Sequence, residues 1–192
     1  MAMTSKYGFH YKRHLIPNCE APAMLEVVIS DSAGALTVGD AVMWSSGYLM
    51  GADDDKAILG VLAGFVTKNG ENIFKTKESL GGVKSGDDTY NAAGDNTTVD
   101  MVKGLVIVDD KALFQAYADS SLTQAEVGLW FVGTVIDGTY VDGVTGAGAS
   151  WSVGTQDWQL VELVTTLEDG SASTTTGLFR IGRSQLLNDV TA

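Results

Sequence analysis

The chain has 192 residues, 45% of them hydrophobic and 19% charged, which is long enough for one domain with a substantial core. Twelve Lys and Arg face 24 Asp and Glu, for a formal net charge of -12 that repels a phosphate backbone and argues against nucleic acid as a partner. Apolar runs are far shorter than the roughly 20 residues of a membrane-crossing helix, and no secretory signal is readable at the start. A single cysteine, Cys19, excludes an internal disulfide framework and an all-cysteine zinc site.

Charge is unevenly placed. Residues 112–179 contain no Lys or Arg, whereas Lys6, Lys12 and Arg13 all precede the first acid, Glu20. Pro17 and Pro22, the two prolines, flank Cys19 just after that basic start. Proline favours extended backbone and removes donors, so residues 1–23 read as an extended, irregular arm and residues 24–192 as the body.

Along the body the signal is β. Short runs of Val, Ile, Thr, Phe, Tyr and Trp alternate with clusters of Gly, Asp, Ser and Asn. The first strand is expected at 24–29. Residues 42–44 and 48–50 form a predicted hairpin, with Gly47 where a left-handed backbone is needed. Residues 58–67 form a longer strand in which Gly60 and Gly64 permit a bend or a close neighbour. Further strands are expected at 105–108, 112–117, 130–136, 150–153, 158–164 and 176–181. Two short helical turns are readable: 122–127, where Thr123 and Glu126 have capping-box spacing, and 184–188. The stretch 81–98 has too few large apolar residues for a core strand and reads as a surface excursion, extending over about 68–98. Loops at 142–148 and 168–175 complete a mainly β, single-domain antiparallel barrel or sandwich with an N-terminal arm and long loops.

Chemistry-bearing patterns are few. His10 and His14, the two histidines, would aim at one metal from a helix. Tyr7, Phe9 and Tyr11 alternate through the same segment, as in an extended strand. Gly82-Val83-Lys84-Ser85 lacks the glycine before lysine that a phosphate loop requires. Asp53-Asp54-Asp55 lacks the ligand spacing of a calcium loop and reads as a charged tip; Asp109-Asp110-Lys111 reads as a turn whose Asp side chains bond the local backbone. Trp44, Trp130, Trp151 and Trp158 are read mainly as core, with sugar stacking as the alternative. No catalytic constellation, metal site or cofactor site emerges, so a noncatalytic protein is expected.

The run Val38-Gly39-Asp40-Ala41-Val42, Gly47, and Ile58-Leu59-Gly60-Val61-Leu62-Ala63-Gly64-Phe65 resemble the opening strands of the capsid decoration, or cement, proteins of tailed bacteriophages. Phe114-Gln115-Ala116-Tyr117-Ala118-Asp119 and Leu122-Thr123-Gln124-Ala125-Glu126-Val127-Gly128 are similar to that family's strand, acidic turn and capped segment. Gly148-Ala149-Ser150-Trp151-Ser152-Val153, Asp157-Trp158-Gln159-Leu160 and Leu178-Phe179-Arg180-Ile181-Gly182 continue the series, while the excursion at 68–98 departs from it. The resemblance implies a β-barrel or tulip-like domain on the outside of a virion capsid. It would be bound to the major capsid protein, often as a homotrimer, and would stabilise the shell without catalysis. A carbohydrate- or receptor-binding β module of a head fibre or tail is the alternative.

The arm is the expected contact element. Lys6, Lys12 and Arg13 are offered to acidic groups on neighbours, and Tyr7, Phe9 and Tyr11 are offered as aromatic anchors, with His10 and His14 beside them.

Overall fold

A computed structural model describes residues 9–17, 21–30, 35–52, 57–67, 70, 72–73, 89–91, 101–132, 152–153, 158–164, 173–182 and 184–186. The strands in chain order are β1 (His10–His14), β2 (Met24–Val28), β3 (Ala35–Thr37), β4 (Ala41–Ser45), β5 (Tyr48–Gly51), β6 (Gly60–Thr67) and β7 (Asn72–Ile73). They continue with β8 (Thr89–Asn91), β9 (Met101–Ile107), β10 (Ala112–Thr123), β11 (Trp130–Val132), β12 (Ser152–Val153), β13 (Trp158–Leu163) and β14 (Ser173–Ile181). One 3-10 turn, Gln124–Glu126, is the only helical element among the described residues.

The strands form two antiparallel sheets and a ribbon. The first sheet runs β1-β10-β14-β13-β11-β12; the second runs β2-β9-β6-β4-β5, with β7 on β6; β3 and β8 pair alone. Neither sheet closes into a barrel. An isolated parallel bridge, Ile29 to Leu49, draws the two edges of the second sheet together, and Ser30 N–H donates to Leu49 O at 3.1 Å.

Side-chain alternation explains this arrangement. In the second sheet, neighbouring residues enter opposite cores: Ala41, Ile58, Val61 and Ile107 face one, and Val42, Leu59, Leu62 and Val106 face the other. The first core also contains Phe114, Phe131, Trp158, Leu160 and Phe179 of the first sheet, so it lies between the sheets. The second core, with Val27, Ile29, Leu36, Leu49 and Phe65, fills the concave side of the second sheet. A sheet buried on both faces reads as continuous apolar runs, which is how Ile58 to Phe65 appears in the sequence. Two glycines allow the tight contacts. A Cβ at Gly60 would sit 2.0 Å from Ile107 O, and one at Gly104 would sit 2.3 Å from Leu49 Cδ2.

Local chemistry sets the connections. Ser46 and Gly47 both have positive φ, 53° and 86°, giving the two-residue turn that matches the twist of the β4–β5 hairpin. At the 3-10 turn, the Glu126 carboxylate accepts from Thr123 N–H and Oγ1 at 2.5 and 2.9 Å, as the sequence spacing predicts. Beyond Val42, β4 has no ladder with β6, and a side chain takes that place. Trp44 N–H donates to Gln185 Oε1 at 2.5 Å, and Gln185 Nε2 donates to Trp44 O at 3.0 Å. Gln185 N–H donates to Ile58 O at 2.8 Å, which ties the segment after β14 to the second sheet.

Three expectations need correction. Residues from Phe9 onward are not a separate arm: β1 is an edge strand of the first sheet, paired with β10. Part of the expected surface excursion, β8, forms a ribbon with β3. Ser184 bridges to Ile58 instead of opening a helical turn, because its backbone completes the junction between sheets. The predicted tips and loops at 53–55, 81–88, 142–148 and 168–172 lie outside the described residues.

Close approach at Gly60 predicts that Gly60→Ala lowers unfolding free energy by about 2 kcal/mol or more, through forced movement of the β9 backbone. Gly51→Ala, where a Cβ meets Leu36 Cδ2 at an ordinary 3.7 Å, should change stability by less than about 1 kcal/mol. Urea unfolding of the two variants checks the contrast, and equal effects would contradict it.

Candidate contact surface

The predicted contact residues from Phe9 to His14 have their places set by β1. Phe9 precedes the strand and is buried, its ring stacked on Trp158 with centroids 3.8 Å apart and planes 12° apart. Its N–H donates to Gly39 O at 2.8 Å, binding the start of β1 to the second sheet. Tyr11 packs against the same core and meets Phe114 edge-on at 6.4 Å. Phe9 and Tyr11 are therefore internal anchors of this chain, a correction to their expected role on a partner. Their alternation is that of a strand with one buried face.

A bulge at Lys12 then reverses the pattern. Tyr11 pairs with Phe114 and Arg13 with Leu113, so Lys12 is the extra residue. Arg13 is turned to the outer face of the sheet, where it pairs with Glu162 of β13, and His14 is turned inward. Both Arg13 and Glu162 are more than half exposed, so the pair contributes about 0–1 kcal/mol. Lys12 is exposed, His10 is half-buried opposite Gln115, and Lys6 and Tyr7 lie outside the described residues.

His14 and Asp109 organise the chain beyond β1. Ile16 N–H donates to His14 Nδ1 at 2.9 Å, which places the ring proton on Nε2, 2.9 Å from Asp109 Oδ2. The same Oδ2 accepts Ala23 N–H at 3.3 Å, and Oδ1 accepts Lys111 N–H at 2.9 Å. One carboxylate therefore gathers both ends of the segment 15–22 onto the β9–β10 turn. Burial pushes the Asp109 carboxyl up, but the Lys111 and Ala23 N–H groups and His14 outweigh it and hold it below the usual carboxylate value.

This staple leaves Leu15 and Ile16 on the surface, 39% and 53% exposed. Met24 and Val28 of β2 are also exposed, at 46% and 47%, with the Lys103–Glu26 pair at 3.1 Å between them. These apolar residues were not singled out from the sequence. The adjacent pair Leu15-Ile16 ahead of Pro17, and the alternation Met24, Glu26, Val28, are the signals that carry them. Of the tryptophans, Trp158 is fully buried, Trp130 half-buried and Trp44 37% exposed; Trp151 lies outside the described residues.

No cluster of His, Cys, Asp and Glu suited to a metal occurs among the described residues, and no described helix is long and apolar enough to cross a membrane. Comparison with known protein families, with curated proteins and with solved structures finds no match.

Phe9→Ala should cost about 3–5 kcal/mol, as for a buried aromatic, whereas Lys12→Ala should stay within about 0.5 kcal/mol; equal effects in urea unfolding would contradict the placement of Phe9. The folded pKa of Asp109 lies below its unfolded value. Its contribution is therefore present above the unfolded pKa and lost as pH falls through the folded one, from about pH 4 downward. Asp109→Asn should flatten that acid limb in thermal unfolding, and an equally steep limb in the variant would refute the assignment.

Proposed function

We propose that this chain is a noncatalytic structural protein of a tailed-phage virion, a decoration protein that binds the outer surface of the assembled capsid and stabilises contacts between major capsid proteins. What supports this reading is that segments resembling that family fall on framework elements of both sheets. Val38 to Val42 leads into β4, Ile58 to Phe65 lies on β6, and Phe114 to Asp119 on β10. Leu122 to Gly128 covers the 3-10 turn, Trp158 to Leu160 opens β13, and Leu178 to Ile181 closes β14. In this reading the two sheets are the sandwich of a tulip-like domain, and neighbouring copies associate as a homotrimer.

The mechanism is linkage. A protein that binds the closed lattice better than free shell subunits shifts the equilibrium toward the closed lattice by its difference in affinity. Many copies, each weakly held, act together. Lys12 at the bulge, with Lys6 and Tyr7 before it, supplies groups for acidic neighbours. Leu15 and Ile16, held in place by the Asp109 staple, and Met24 and Val28, held on β2 by its ladder with β9, supply apolar area. Phe9 has no part in the contact.

A second reading, a glycan- or receptor-binding module of a fibre or tail, is favoured by Trp44 and Tyr48. Both are exposed on the β4–β5 hairpin, at 37% and 49%.

Co-sedimentation with empty expanded shells of its own phage tests the first reading. The intact chain should pellet, and removal of residues 1–8, which spares β1, should weaken pelleting severalfold. Pelleting undiminished by the truncation would remove the arm's role. An intact chain that ignores shells but shows tryptophan quenching by a glycan, lost in Trp44→Ala, would replace the first reading with the second.

A further inference from the structure

On the outer face of the first sheet, register places Leu113, Arg180, Gln159 and Trp130 in one row across β10, β14, β13 and β11. Arg180 is held there from two sides. Its Nε–H donates to Gln159 Oε1 at 2.6 Å, and its guanidinium carbon lies 5.8 Å from the centre of the Trp130 ring. Gln159 is itself held, its Nε2 donating to Gly128 O at 2.9 Å, and Gly128 has the positive φ, 92°, that ends the 3-10 turn. One N–H of five is used, and the two terminal nitrogens of Arg180 meet no acceptor among the described residues.

We propose that Arg180 is an anchoring site for a carboxylate side chain, Asp or Glu, on a partner protein. The ring and the bond at Nε hold the half-buried guanidinium and leave its two terminal nitrogens without an acceptor among the described residues, the pair of donors that a bidentate carboxylate uses. Little side-chain freedom remains to be lost on binding. The same face already contains a guanidinium–carboxylate pair, Arg13 with Glu162. Arg13, Lys103 and Lys111 each face an acid, whereas Arg180 faces none among the described residues. It is also the first cation after residue 111, in a chain of net charge -12. That field repels polyanions, so a single carboxylate making a short, directional contact is the complementary ligand. The assignment does not rest on the capsid reading.

The test titrates the full-length protein with the capped tripeptide Gly-Glu-Gly and its Gly-Gln-Gly counterpart, following the Arg180 Nε–H and Trp130 indole N–H signals by NMR. The Glu peptide should shift both signals saturably and the Gln peptide should not. Arg180→Lys, which keeps the charge and loses the fork, should weaken binding about tenfold, read on Trp130 alone, while Arg13→Lys leaves it unchanged. A thermal melt confirms that both variants are folded. No shift up to the solubility of the Glu peptide, an equal response to sodium chloride, or unchanged binding by Arg180→Lys would each overturn the proposal. Tighter saturation by N-acetylneuraminic acid than by the Glu peptide would overturn it in favour of an acidic glycan.

Discussion

The second sheet is buried on both faces, and most other features of the molecule are consequences of that burial. Each of its central strands sends alternate side chains into two cores, so a one-residue slip would exchange Val61 with Leu62 and Ile107 with Val106 between compartments of different shape. Gly60 and Gly104 are required for the same reason, because a sheet packed on both sides and drawn in at Ile29 and Leu49 leaves no room for a Cβ at its closest approaches. The first sheet then serves as the lid of the shared core, with Trp158 at its centre. The indole Nε1 of Trp158 is buried and has no hydrogen-bond partner among the described residues, at a cost of about 1–3 kcal/mol. Stacking on Phe9 and edge contact with Phe114 at 6.1 Å offset part of it.

The shared core also captures the N-terminal strand. Phe9 stacks on Trp158, and this packing, with the ladder to β10 and Tyr11 against the same core, makes β1 part of the body. The Lys12 bulge separates its two functions. Before the bulge Phe9 and Tyr11 face inward and hold the sheets together, and the residue just after it, Arg13, turns to the outer face. His14, returned inward, meets Asp109 and fixes the path of the chain from Leu15 onward. The exposed position of Leu15 and Ile16 is thus a consequence of how the preceding residues are buried, and the surface and the core at this edge cannot be altered independently.

What was legible in the sequence is what is decided locally. Ser46-Gly47 sets its hairpin through backbone conformation, Thr123 and Glu126 close their turn across three residues, and Asp109 bonds the amide two residues on. The long apolar run at 58–65 announced a strand buried on both faces. The role of Phe9 was not legible, because its partner Trp158 lies 149 residues away. Tyr7, Phe9 and Tyr11 beside Lys and Arg have the same composition whether they face a partner or their own core. Gln185 was invisible for a related reason, since a side chain replacing a missing ladder bond carries no periodicity. Thr89 to Asn91 pair with β3, a partner more than fifty residues earlier in the chain that no local pattern announces. Among the exposed residues at this edge, the sequence singles out Lys12 and Arg13 but not the apolar ones, since Leu15 and Met24 look like core until the staple at Asp109 shows which way the chain runs.

An acidic chain that binds an acidic partner cannot rely on long-range attraction. With twice as many acids as bases, net repulsion from a carboxylate-rich surface is screened beyond a Debye length of about 8 Å at physiological salt and is felt within it, so favourable contact comes only from specific pairs at short range. Contacts made there must be directional and already in place, since ordering a free side chain or loop would consume much of what a single ion pair returns. The features at the surface of the first sheet meet that requirement in two ways. Arg180 is fixed by Trp130 and Gln159 before any ligand arrives, and the Leu15-Ile16 pair is fixed by a carboxylate that binds both ends of its segment. The first contributes orientation and the second apolar area. Were the proposed contacts made, their specificity would rest on preorganised geometry, because a net charge of -12 repels polyanions and does not choose among single carboxylates.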